Sequence, residues 1–333
     1  MSQEEVEEPS YISGSSSDPA WRVYRAESVS EFLDLLLASA EQWLEAGRGD
    51  IVYRGQAESS WGLVPRAFRE SEFDEGNGNM GQRRVGRQAS AEFKAVHEFL
   101  IEADAAGLGI LERGVSRLIQ EDPAILFGSR DWQKGWPQEE VWEAIALAQH
   151  HGVVTRFLDF TENGLVAAFW AAFDAWKRRD DELEAPQDPQ IAVWVVDLRF
   201  IRAINAVSKQ FPERIAVIRV PRGNNAYLHA QEGLFLIDRG ANDVLTFEKE
   251  LSMENVIVKR ARYWHSGDLL EQEGITRSWF GEVPIAQVCL PVECVLDLLK
   301  ELRTRGITVG RLMPSLDRVV EALKIDREIA KAE

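Results

Sequence analysis

Ahead of Trp176, the residues Leu165, Ala168, Phe169, Ala172, Phe173 and Trp176 fall at i, i+3, i+4, i+7, i+8 and i+11, one apolar stripe at helical period. A stripe this broad and aromatic makes the helix a central core element, with Thr161 ahead of it as its expected cap. Beyond the acidic, Pro-bearing stretch 180–189 the pattern changes to short apolar runs at Ile191–Val196, Ile215–Val220, Gly233–Ile237, Val256–Val258 and Ile285–Leu290, which predict strands. Helices gather ahead of these strands rather than alternating strictly with them. That order predicts an α+β fold, a helical N-terminal half packed on a strand-rich C-terminal half around a mixed or antiparallel central sheet.

The remaining elements follow the same reasoning. Phe32, Leu35, Leu36, Ala40, Trp43 and Leu44 recur at three and four after serines that can cap, predicting a helix from Ser28 to about Ala46. Asp50–Gln56 is a short β-branched and aromatic run broken by Gly55, a strand with Arg54 near its end. A glycine-bearing polar loop is expected over 71–88, then helices at about Ser90–Ala105 and Glu139–His151, the latter stopped by Gly152. Val153–Phe160 reads as a connection. Helices at about Val292–Arg305 and Ser315–Ile325 close the chain. One domain is expected over 21–325 with a local insertion at about 106–138, between a disordered acidic tail at 1–20 and a short tail at 326–333.

Composition narrows the function classes. The chain has 333 residues, 38 Lys and Arg against 55 Asp and Glu, a net charge of −17 and 45% apolar residues. That acidity repels a phosphate backbone, and no dense Lys/Arg run offsets it, so duplex nucleic acid is disfavoured as a partner. The longest uncharged apolar stretches reach little more than half of the ~20 residues a bilayer crossing needs, so no membrane association is expected. An acidic N-terminal segment is the reverse of a secretory leader, and Cys289 and Cys294 lack the spacing of a redox pair or a zinc knuckle. A cytoplasmic setting with reduced, buried thiols and no metal is expected.

Three polar clusters stand out. Tyr53-Arg54-Gly55-Gln56 puts a guanidinium, the planar donor that suits pyrophosphate or carboxylate, beside a glycine that allows a ligand or another backbone to come close. The stretch 149–163 holds His150, Thr155, Arg156, Asp159, Thr161 and Asn163 between two helices with apolar faces, where polar groups must bond one another or a ligand. Asp159 is placed to pair with Arg156 or with Arg54. A third cluster, His229-Ala230-Gln231-Glu232, runs through Gly233 into a strand, and an amide and a carboxylate at a strand entrance suit a ribose hydroxyl or an oxocarbenium ion. Arg54, His150, Arg156, Asp159 and Gln231 are expected to converge on one cleft. A purely structural role for the same groups is the competing account.

In this order the clusters resemble the FRG domain family, named for its Phe/Tyr-Arg-Gly motif, here Tyr53-Arg54-Gly55. The family's central block is similar to Gln149-His150-His151-Gly152 through Thr155-Arg156-Phe157-Leu158-Asp159-Phe160-Thr161 and on to Leu165-Val166-Ala167. Its later Gln-x-Gly-x-Phe is matched by Gln231, Gly233 and Phe235, and its closing motif by Leu312-Met313-Pro314 and Leu316-Asp317. His151 stands where the family has an aromatic residue, and Phe160 where it has tryptophan. The motif order is also similar to the layout of ADP-ribosyltransferases, which implies an ADP-ribosyltransferase-like fold with NAD as substrate. On that resemblance Tyr53, Arg54, Gln56, Thr155, Arg156, Asp159, Thr161 and Asn163 bind ligand, with Arg54 on the pyrophosphate and Thr155 or Thr161 in the hydroxyl role. Gln231, Glu232 and His150 are the catalytic candidates. The activity implied is ADP-ribosyl transfer or NAD hydrolysis, on a protein target or a nucleotide-like small molecule, in stress, toxin or phage-defence biology. The alternatives are a nucleotide- or anion-sensing module without turnover, and an interaction scaffold with a structural polar core.

Overall fold

The computed structural model describes residues 21–42, 50–69, 81–108, 135–179, 189–207, 214–220, 230–242, 251–265 and 284–332. Among the described residues seven strands form one mixed sheet: β1 (Trp21–Arg25), β2 (Ile51–Gln56), β3 (Leu158–Thr161), β4 (Gln190–Asp197), β5 (Ile215–Ile218), β6 (Gly233–Asp238) and β7 (Ile285–Pro291), in the order β1-β7-β4-β2-β3-β6-β5. Only β1 and β7 run parallel; every other neighbouring pair is antiparallel. The helices among the described residues are α1 (Val29–Gln42), α2 (Gly81–Ala105), α3 (Trp142–His150), α4 (Gly164–Arg178), α5 (Leu198–Val207), α6 (Met253–His265), α7 (Val295–Thr304), α8 (Val309–Leu312) and α9 (Leu316–Ala332). The α+β expectation holds. Strands from both halves of the chain interleave in the sheet, with β2 and β3 of the first half near its middle.

Alternation along the strands sorts side chains onto two faces. On one face α4 lies over β2 and β4, with α1 against β7, and shares a core with α1, α7, α8 and α9, in which Phe169 is 2% exposed. On the same face, over β5 and β6, α2 and α3 build a separate core around Phe93, Ile145 and Phe235. The opposite face is covered by α5 and α6, with Leu158, Phe160, Trp194 and Ile257 buried there. β3 runs between the two helical groups of the first face. Leu158 and Phe160 go to the second face, which leaves Asp159 and Thr161 pointing into the interval between α4 and α3.

The sheet has a seam. β2 and β4 pair along six residues, whereas β2 and β3 meet through a single register pair, Tyr53 with Thr161. Gly55 explains how α4 sits so close to this region: a Cβ there would lie 2.0 Å from the Ala167 carbonyl oxygen and 2.7 Å from the Ala171 nitrogen. The glycine of Tyr-Arg-Gly therefore serves the approach of a helix backbone rather than that of a ligand.

Several expectations are corrected. Val256–Val258 is not a strand but the second turn of α6, where Met253, Ile257, Val258 and Ala261 form a buried helical stripe. Residues 158–161 are a strand, not a connection. α2 begins at Gly81, inside the stretch expected to be a loop; residues 71–80 lie outside the described residues. α9 runs through the expected C-terminal tail to Ala332. Thr161 does not cap α4: Asn163 does, its side chain accepting from the Leu165 N–H at 3.1 Å. Cys289 is buried and Cys294 half-buried, and neither forms a disulfide among the described residues. The 1–20 tail, His229 and most of the 106–138 insertion lie outside the described residues. No described helix is long and apolar enough to cross a membrane.

Candidate functional site

The site begins with how α3 ends. Gly152, at φ 95°, lets the Gly152 N–H bond the Gln149 carbonyl at 2.9 Å and the Val153 N–H bond that of Ala148 at 3.0 Å, a Schellman closure that turns the chain back toward β3. The turn leaves Gln149 and His150 on the last turn of α3, within reach of the strand that follows. Thr155 Oγ1 donates to Gln149 Oε1, and Gln149 Nε2 donates to Asp159 Oδ1. From the far side of the seam Arg54 Nη1 donates to the Asp159 carbonyl oxygen at 2.8 Å and to Asp159 Oδ2 at 3.3 Å. One carboxylate is thus held from two sides. Its side chain is nevertheless 60% exposed, while that of Arg54 is 18% exposed.

Arg54 is incompletely satisfied. Its hydrogen bonds to described residues run through Nη1 alone, and Nε is buried with no partner. Burial lowers the His150 pKa below the ordinary histidine value; the adjacent His151 acts in the same direction, and the Asp159 charge offsets part of the shift. His150 is therefore near enough to the carboxylate to feel it. His151 is exposed and stacks on Phe99, with ring centroids 5.7 Å apart.

Two residues along β3, a second group surrounds the start of α4. Thr161 Oγ1 donates to the Gln231 carbonyl at 2.6 Å and accepts from the Asn163 N–H at 3.0 Å. Asn163 Nδ2 donates to Glu232 Oε1 at 3.1 Å, and the Glu162 N–H bonds the Glu232 carbonyl at 3.1 Å. Glu232 holds a left-handed φ of 49°, a conformation that costs a non-glycine residue roughly 1–3 kcal/mol and persists only where its surroundings enforce it. Gln231 Nε2 donates to the Leu312 carbonyl at 3.2 Å, tying this corner to α8.

The expected cleft is therefore only partly assembled. Asp159, Thr155 and His150 gather at one end of β3, where Arg54, which leaves β2 on the Trp194 face, reaches Asp159 across the seam; Thr161, Asn163, Gln231 and Glu232 gather at the other end. Arg156 is absent from both groups. It is 2% exposed, with Nε and Nη2 gripping both oxygens of Glu92 at 2.7 and 2.9 Å and Nη1 bonding the Trp136 carbonyl and Asn242. The guanidinium is consumed in a buried ion pair that leaves no fork for a ligand. Gln56 is likewise spent, accepting from Trp194 Nε1 and donating to the Gly62 carbonyl, and Tyr53 packs in the core against Gly164. Both turn inward, so neither is presented to a ligand as the resemblance implies.

Gln149 is the residue that sequence reasoning left out of the site. It stands first in the polar stretch 149–163, and its amide bonds Thr155 and Asp159 at once. Residues 121–180 match the family model of the FRG domain. The FRG match spans α3, β3, α4 and both polar groups around β3 that these elements supply, while Arg54 and Glu232 reach them from outside it. No curated protein and no solved structure matches the chain.

Proposed function

We propose that the Arg54–Asp159–Gln149 cluster binds a nucleotide-like ligand through its phosphate groups, in the cytoplasm. The observation that carries this reading is the unspent Nε of Arg54, next to an Nη1 already fixed by Asp159. A buried N–H left unpaired costs about 1–3 kcal/mol, and the edge formed by Nε and Nη2 is the one that grips a phosphate with two parallel bonds. Asp159 and Gln149 hold the fork in place, so little side-chain freedom remains to be lost on binding.

NAD is the ligand to test first, with Arg54 on the pyrophosphate. Glu232 suits the acid role better than Gln231, whose amide is engaged with the Leu312 carbonyl, because no described residue bonds the second carboxylate oxygen of Glu232. Both threonine hydroxyls already donate within the protein, which favours binding, or slow hydrolysis, over transfer to a protein target. Calorimetric titration of the full chain with NAD, ADP-ribose and AMP, beside a nicotinamide-release assay, tests the reading. Arg54→Lys should weaken binding at least tenfold, since a point charge cannot replace the planar fork. Glu232→Gln should abolish any nicotinamide release while leaving binding intact. No binding of any of the three, or full binding by Arg54→Lys, overturns the site in favour of a structural polar core.

A further inference from the structure

At the other end of α4, about 12 residues and so roughly 20 Å from the group around Asn163, Trp176, Lys177 and Arg179 face α9 across an open cleft of about 410 Å³. Five cations and two carboxylates line it. The carboxylates are already neutralised. Glu328 accepts from Trp176 Nε1 at 2.7 Å and from Arg179 Nη2 at 2.6 Å, and Glu321 is bonded by Arg318 at 2.5 Å and lies 3.8 Å from Lys177. Lys324, Arg327 and Lys331, on consecutive turns of α9, are exposed and form no ion pair among the described residues. Three uncompensated positive charges converge on one concavity of a chain whose net charge is −17.

We infer that this cleft is a second binding site, for a small anion carrying three or more negative charges. Its volume is that of a small-molecule site. Scale also selects against larger polyanions. A small ligand experiences the potential only within a Debye length, about 8 Å at physiological ionic strength, where the cations prevail. A nucleic acid or an anionic bilayer would extend over the acidic remainder of the surface and be repelled. The ligand gains nothing from a base, because Arg179 lies over the Trp176 ring at 4.4 Å and Phe173 stacks against the same ring with centroids 6.0 Å apart.

Calorimetry of the full chain with inorganic tripolyphosphate tests this. With the β3 site disabled by Arg54→Lys, one equivalent should bind, more weakly as NaCl rises from 50 to 300 mM, and ATP should bind no more tightly than tripolyphosphate. Combined Lys324→Ala, Arg327→Ala and Lys331→Ala substitutions, all at exposed positions, should lower the affinity at least tenfold with an unchanged melting temperature. Arg54→Lys should leave it unaltered, which separates this site from the one at β3. Equal binding by the triple variant, loss of binding in Arg54→Lys, a clear preference for ATP by Arg54→Lys, or binding of RNA or anionic vesicles in place of tripolyphosphate would each overturn the inference.

Discussion

Arg54 and Arg156 each meet a carboxylate, and burial decides what each meeting is worth. The Arg156–Glu92 pair is 2% and 3% exposed, so truncating the arginine strands a desolvated charge. Arg156→Ala should cost about 3–5 kcal/mol. Asp159 remains 60% exposed and can be solvated alone, so Arg54→Ala should cost about 1 kcal/mol or less in stability. Urea unfolding of the two variants measures the contrast, and equal losses would show that Arg54 is structural. From the sequence, Asp159 had two candidate arginines; the choice lay in which side chain reached a buried acid 64 residues away, information that no local spacing carries. His150 adds a pH dependence. Because its pKa is lowered on folding, the unfolded chain binds the proton more readily, and stability is full above the ordinary histidine value and declines as pH falls below it. Thermal melts between pH 7.5 and 5.5 should show a decline in wild type that is smaller in His150→Gln.

Among the elements, legibility followed length and period. The α4 stripe emerged as read, with Ala168, Phe169, Ala172 and Phe173 all buried, because its pattern persists over about three turns. β3 escapes the pattern because it is four residues long and its alternation sets Asp159 and Thr161 after Leu158 and Phe160 and ahead of Glu162 and Asn163, which resembles a polar connection. Val256–Val258 was misread for the converse reason: three β-branched residues suggest a strand until Met253 and Ala261 are counted and the spacing becomes helical. Gly55 was recognised as a point of close approach, but only the crossing of α4 reveals what approaches. Gly55→Ala should therefore destabilise by about 3 kcal/mol or more, near or beyond the usual overpacking range, because the clash is with helix backbone that cannot rotate away. A circular-dichroism melt within a few degrees of wild type would refute that packing.

For the molecule as a whole, what was illegible was assembly across distance. The basic cleft draws on α4 and α9, whose contributing residues lie about 150 positions apart, so no run of the sequence reveals it. The sheet too is assembled from remote pieces, and its seam has a consequence for motion. Because β3 meets β2 at one pair only, β1-β7-β4-β2 and β3-β6-β5 are expected to open as separate units, the second ahead of the first. In native-state deuterium exchange, the amides of β5 and β6 should exchange ahead of those of β4 and β7. A ligand held at Arg54 spans both units, so it should slow exchange in β3 and β6 first and make the two halves of the sheet open as one.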